Sequence, residues 1–252
     1  MQAILSDIHG NLEALTAVLA DIQGHGIQRV YNLGDTVGYG PNPLECLDLA
    51  LQMHIGLLGN FDRAIITFPD GFCISAERSI LWTRAQLDAT RDSPVGYLRA
   101  EYMAKLTGSY QEGEVLYVHG SARQPINEYV FPEDIYHSCG KLDKIGAAFS
   151  HLCFCGHTHI PGIFRERAAG SWEYIHAEEC ERGFPVRREK LICNVGAVGQ
   201  PRDDDERACY ALFDGERIWI RRVAYDFEAT IRKIYAIPDL DNFLGDRLRE
   251  GR

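Results

Sequence analysis

Apolar positions recur along the chain in two periods, and the places where one gives way to the other predict its elements. Residues 3–5 (Ala-Ile-Leu) form a short β-type run, and Leu12, Leu15, Val18, Leu19 and Ile22 follow at helical spacing until Gly24 and Gly26 stop them. Strand character returns at 29–33, a helix at about 43–53 and a strand at 54–58. From 63 to 113 the spacing is mainly helical, with helices over 74–87 and 95–106 separated by Pro and Gly turns. Strands over 114–118, 147–155 and 191–195 then enclose a helix over 132–145 and a hairpin pairing 163–167 with 172–176. A second hairpin, 208–213 with 217–223 around Asp214-Gly215, precedes helices near 228–235 and 239–250. Alternating strands and helices predict an α/β protein, and no repeat or low-complexity linker divides it. The expectation is one domain over 1–252 with a helical insertion around 63–113.

Polar residues with chemical character fall where the apolar runs stop. The first strand ends in Asp7-Ile-His9-Gly10, the second in Gly34-Asp35 and the third in Gly59-Asn60-Phe61-Asp62. In extended chain, residues i and i+2 share a face, so Asp7 and His9 can converge. Open α/β sheets gather ligands at the carboxyl ends of their strands. Later strands end in His119-Gly120 and in Gly156-His157-Thr158-His159. Asp7, His9, Asp35, Asn60, His119, His157 and His159 are too many donors for one tetrahedral ion. A mixed oxygen and nitrogen set of this size suits two adjacent divalent ions sharing a carboxylate, the usual machinery for displacement at phosphorus.

Composition narrows the partners. The 252 residues are 46% hydrophobic, enough for a full core, and no apolar run approaches the roughly 20 residues of a membrane span. With no basic, apolar leader at the N-terminus, the chain is expected to be soluble and cytoplasmic. Its eight cysteines lie scattered, which suits reduced thiols; Cys153 and Cys155 read as core residues rather than zinc ligands. A net charge of −10 argues against binding a nucleic-acid duplex, while two divalent ions would keep a small pocket cationic for an anionic substrate. His25, His54, His137 and His176 read as ordinary, and His151 as a second-layer partner to watch.

Together the order Asp7-X-His9, Gly34-Asp35, Gly59-Asn60, His119-Gly120 and Gly156-His157-X-His159 resembles the calcineurin-like metallophosphoesterase superfamily. The stretches Gly-Asp35-Thr-Val-Gly-Tyr-Gly-Pro-Asn-Pro and Val-Gly-Gln-Pro-Arg202 look like its small prokaryotic phosphodiesterase-like branch. The resemblance implies an αββα sandwich of two mixed sheets flanked by helices. It also implies that Asp7, His9 and His159 hold one metal, that Asn60, His119 and His157 hold the other, and that Asp35 bridges them. Manganese is the first expectation, with iron, nickel, cobalt or zinc as alternatives. The expected activity is hydrolysis of phosphodiester or phosphoanhydride bonds in small phosphorylated substrates, which include nucleotides; a phosphoprotein or phosphomonoester phosphatase and a non-catalytic metal-binding scaffold are the alternatives.

The chain departs from the resemblance at Phe61, where many members carry the histidine assigned to protonating the leaving oxygen. Either leaving groups that need little protonation are preferred, or Phe61 packs and another group or water supplies the proton. Asn60, Arg123 and Arg202 are candidates to hold non-bridging phosphate oxygens, since guanidinium forks match that geometry. Phe61 or Tyr39 could stack on a nucleobase. Oligomeric state is left open.

Overall fold

The alternation at Ala3-Ile4-Leu5 divides the molecule into layers. In a computed structural model, which describes every residue except 138, 139 and 169 and only the backbone of His137, Ile4 points into the core between two sheets. Ala3 and Leu5 point outward, against a helix. In chain order the elements are β1 (Gln2–Leu5), α1 (Leu12–Gly24), β2 (Arg29–Asn32), α2 (Pro43–Ala50), β3 (Ile55–Gly56), α3 (Asn60–Ile66), α4 (Ile74–Thr90) and α5 (Pro94–Lys105). There follow β4 (Ser109–Glu112), β5 (Val115–Val118), α6 (Asp134–His137), α7 (Lys141–Gly146), β6 (Leu152–Cys155), β7 (Gly162–Ala168) and β8 (Ser171–His176). The chain closes with β9 (Phe184–Pro185), β10 (Leu191–Asn194), β11 (Ala208–Phe213), β12 (Arg217–Val223), α8 (Phe227–Tyr235) and α9 (Phe243–Glu250).

One sheet has the order β3-β2-β1-β11-β12-β9, the other β4-β5-β6-β10-β7-β8. In the first, β1, β2 and β3 run parallel; in the second, β5, β6 and β10 do. Their inner faces meet through Ile4, Tyr31, Tyr117, Phe154 and Cys193. On the outer faces, α1 covers the first sheet through Leu15, Val18 and Ile22, and α7 covers the second through Leu142 and Ile145. This is the αββα sandwich of two mixed sheets. The carboxyl ends of the parallel strands in both sheets deliver their loops to one site, described below. The helical stretch α3–α5 has its own apolar cluster, which includes Phe61, and α8 packs with α9 around Ile231, Ile234, Leu244 and Leu248.

The pattern misplaced several boundaries. The expected strand at 147–155 begins only at Leu152, because both neighbours start their pairing there, Val115 on one side and Leu191 on the other. The helix expected over 132–145 is two short ones, with Gly140 in the left-handed region at φ 69° before the second; residues 138 and 139 of that stretch lie outside the described residues. Strand β4 falls where helix was expected: its polar sequence Ser-Tyr-Gln-Glu pairs along β5 as an edge strand, and Glu112 accepts from Arg29 and Tyr31. Six of the seven described cysteines are buried and all seven are free; Cys73 is exposed. Cys153 and Cys155 belong to the core behind α7. No helix among the described residues is long and apolar enough to cross a membrane.

Candidate metal centre

Tight turns follow β1, β2 and β6, and each turn holds a chemical residue in an uncommon backbone conformation. Asp7, His9, Asp35, His157 and His159 all have φ between 48° and 68°. Such strain in non-glycine residues costs on the order of 1–3 kcal/mol each and concentrates at functional sites. Glycines let the turns close on one another: a Cβ on Gly59 would stand 2.0 Å from Asp35 Oδ1, and one on Gly156 would stand 2.5 Å from Asp7 Oδ2. The sheets are joined at this point by Asp7 Oδ2, which accepts the His157 N–H at 2.9 Å.

Six side chains assemble into two buried groups, Asp7 with His9 and His159, and Asp35 with His119 and His157. In the first, His159 Nε2 is 3.2 Å from Asp7 Oδ1 and 3.3 Å from His9 Nε2. In the second, His119 Nε2 is 3.1 Å from His157 Nδ1 and 3.0 Å from Asn60 Oδ1. Asp35 Oδ2 lies between the groups, 3.4 Å from His119 Nε2 and 3.7 Å from His9 Nε2. All seven residues singled out from strand ends therefore meet at one place.

The donor set fits divalent cations. A carbonyl can only accept, so the His159 nitrogen facing the Gln200 carbonyl at 2.6 Å carries the hydrogen, and its Nε2 lone pair turns toward the cluster. By the same reasoning His157 donates from Nε2 to the Asn127 carbonyl and presents Nδ1. Burial, before any other cause, pushes all four imidazoles down, His119 to about 4 and His157 to about 2, so each is neutral near pH 7 and able to ligate. Asp7 stays well below the ordinary carboxylate value: burial works against it, and the facing His159, His119 and His9 prevail. Asp35 is pushed well above, by burial and by the charges of Asp62 and Asp7. Asp7 Oδ1 is buried with no hydrogen-bond partner. Converging lone pairs and crowded carboxylates in one dry site call for positive charge between them.

Asp62 was not singled out from sequence, yet it orders this arrangement. Its Oδ1 accepts the N–H groups of Thr36 and Val37 and its Oδ2 that of Gly59, pinning the turn after β2 to the start of α3. The Phe61 N–H in turn donates to Asp35 Oδ1 at 2.8 Å. The Phe61 ring is only 4% exposed and is caged by Tyr39, Phe72 and His9, with centroids 4.3, 4.9 and 5.0 Å away. It cannot stack on a base from there. The exposed aromatics at the site are instead Tyr129, stacked on His157 at 3.8 Å, and Phe131 stacked on Tyr129 at 5.3 Å.

Of the two arginines expected to hold phosphate, Arg123 is engaged by Glu128, which also accepts from Ser121. Arg202 sits closer to the metal groups: its N–H donates to the His159 carbonyl and its guanidinium lies 6.0 Å from the Tyr39 ring centre. His151 is far from its expected place, at the amino end of β6 against the Arg187 carbonyl, the opposite end from the metal loop.

A model of the calcineurin-like phosphoesterase superfamily domain matches residues 1–217. The chain belongs to the calcineurin-like phosphoesterase superfamily. It is 34% identical to an uncharacterised protein of Methanocaldococcus jannaschii over all of this chain and 98% of that one. The crystal structure of a metallophosphoesterase from Sphaerobacter thermophilus is 36% identical and superposes with a TM-score of 0.84 over 99% of both chains. A hypothetical protein from Pyrococcus horikoshii, 18% identical, shares the fold with a TM-score of 0.74 over 100% of this chain and 98% of its own. This calcineurin-like chain is a metallophosphoesterase, a hydrolase whose family acts on small phosphorylated substrates with a pair of metal ions.

Proposed function

We propose that the chain hydrolyses phosphodiester or phosphoanhydride bonds of small anionic substrates, with Asp7, His9 and His159 holding one ion, Asn60, His119 and His157 the other, and Asp35 bridging. The observation that carries this reading is the place of Asp35 Oδ2, within 3.7 Å of a histidine of each group. A pair of divalent ions there would supply the nucleophile by lowering the pKa of water from about 15.7 toward 7, and manganese suits the mixed carboxylate and imidazole set.

The chain's own residues set the rest. Arg202 is the better placed to hold non-bridging phosphate oxygens, with Asn60, at His119, a second candidate and Arg123 a lesser one because Glu128 already engages it. Position 61 offers no proton, which favours leaving groups stable as anions. Tyr129 and Phe131, 41% and 39% exposed, give a nucleoside a surface to stack on and take over that role from Phe61 and Tyr39. The free, mostly buried thiols suit a reducing cytoplasm.

Asp35→Asn tests the reading. Hydrolysis of bis(p-nitrophenyl) phosphate should be abolished and bound metal, measured by elemental analysis, should fall; full turnover with two metals retained would defeat it.

A further inference from the structure

Arg63 follows Asn60 by three residues in α3, so the two share one face of that helix. The residues between them turn inward: Phe61 and Asp62 are buried, while Arg63 is half-buried. Asn60 Oδ1 meets His119 Nε2, which turns this face of α3 toward the second metal group. From the same face Arg63 Nη2 donates to Asn127 Oδ1 at 2.9 Å. The main-chain oxygen of Asn127 in turn accepts from His157 Nε2. Asn127 is thus held at both ends, through its side chain by a guanidinium and through its carbonyl by a metal-site imidazole. Arg63 forms no ion pair among the described residues.

Loop 120–131, which carries Asn127, is braced within itself: the Gly120 N–H donates to the Pro125 carbonyl, and Glu128 accepts from Ser121 and Arg123. Asn127 and Tyr129, on either side of Glu128, both address His157, one with its carbonyl and the other with its stacked ring. Among the described residues no other hydrogen bond joins this loop to α3. A histidine ligand is oriented by the partner of its second nitrogen, and such partners are worth about 10- to 100-fold in metal affinity. We infer that Arg63 is a positioning residue for the second metal ion: by clipping Asn127 to α3 it fixes the spacing between Asn60, on that helix, and His157, on the turn after β6. This rests on the two-metal reading above. The first group does not use the clip, since His159 is oriented by the Gln200 carbonyl and Asp7 and His9 lie on the turn after β1. Charge alone predicts the opposite sign of effect. A cation beside the second group weakens the binding of an ion there, so its removal would tighten that ion, whereas removal of a clip loosens it.

The test is equilibrium dialysis of chelator-treated protein against graded free manganese, read by elemental analysis, with the binding step lost in Asn60→Ala marking the second ion. Arg63→Met should weaken that step about tenfold or more and leave the other within about twofold. Electron paramagnetic resonance at intermediate manganese should then show a lone ion where the wild type shows a coupled pair. Arg63→Lys should restore part of the affinity, because an ammonium can still donate to Asn127 Oδ1. Asn127→Ala removes that oxygen and keeps the carbonyl, so it should match Arg63→Met, and the double variant should bind no more weakly than either single one. An unchanged or tighter second step, equal weakening of both steps, or additive losses in the double variant overturns the positioning role and leaves the two-metal reading standing. A wild type that takes up only one ion removes that reading and this inference with it.

Discussion

The ring of Phe61 meets that of His9 edge-on, with centroids 5.0 Å apart and planes at 83°. A residue that the family commonly gives to acid chemistry has here become packing around a metal-site imidazole. Gly38 makes room for it: a Cβ there would stand 2.4 Å from the Phe61 ring. Phe61→His should therefore restore a proton donor and raise hydrolysis of p-nitrophenyl phosphate relative to its diester. It should also lower stability by about 1–3 kcal/mol, because a polar ring enters an apolar cage. An unchanged monoester-to-diester ratio in a folded variant would show that position 61 does not set leaving-group preference.

Asp35 has its position set by what Gly59 lacks. Adding one methyl at Gly59 drives an atom to 2.0 Å from Asp35 Oδ1 and 2.3 Å from its backbone nitrogen. Gly59→Ala must move the proposed bridging carboxylate, and a displacement near 1 Å costs on the order of 100-fold in rate. Gly24→Ala is the contrast: nothing stands within 4 Å of its Cβ at the end of α1, and alanine there should add roughly 0.5–1 kcal/mol of stability. Diesterase rates and urea midpoints of the two variants check this. Equal rates in both would mean that the turn after β3 does not place Asp35.

The four buried imidazoles give the chelator-treated protein a characteristic response to acid. Their native values lie below the unfolded value of about 6.5, so as pH falls below that point the unfolded chain takes up protons that the native site refuses. Stability is then lost at on the order of 1 kcal/mol per pH unit for each histidine, down to about pH 4 for His119. Asp35 acts in the opposite sense: its native value is raised, so acidification through that value relieves the buried charge. Asp62, raised by burial to about 7, acts in the same sense as Asp35, so two carboxylates oppose four imidazoles. Urea denaturation should find the metal-free protein about 1 kcal/mol less stable at pH 5.5 than at pH 7. Equal stability at the two values would contradict the burial of neutral histidines.

The metal groups were legible because their residues are adjacent to strand ends, and a strand end is fixed by short-range pattern. Asp7, Asp35 and His157 each follow an apolar run by a few residues, so topology alone brings them together. The helices α1, α4, α5 and α8 were legible for a similar reason, through spacing and a clear turn or cap such as Ser93, whose side chain accepts the Gly96 N–H. The packing of α9 beside the site was not: that helix lies beyond residue 217, where the family match ends, and only tertiary packing carries it to Tyr39. Tyr129 had no signal either, since its role depends on His157, 28 positions away in the chain and next to it in space. Proximity of Arg123 to His119 in sequence likewise said nothing of Glu128, which pairs with its guanidinium.

Asp62 is the residue whose importance rests wholly on hydrogen bonds to backbone. Burial pushes its pKa up, yet its two oxygens accept three N–H groups, from Thr36, Val37 and Gly59, a pattern that only the ionised carboxylate satisfies fully. An amide in the same place keeps one accepting oxygen and turns an NH2 group toward a donor. Asp62→Asn should therefore cost on the order of 1–3 kcal/mol in folding stability and loosen the turn that carries Asp35. The consequence for function is indirect: metal occupancy should drop, and excess manganese should recover part of the lost diesterase rate, because the proposed ligands themselves remain. Asp35→Asn should not be rescued in this way. If excess metal fails to raise activity in Asp62→Asn, or raises both variants alike, the backbone contacts of Asp62 do not position the bridging carboxylate.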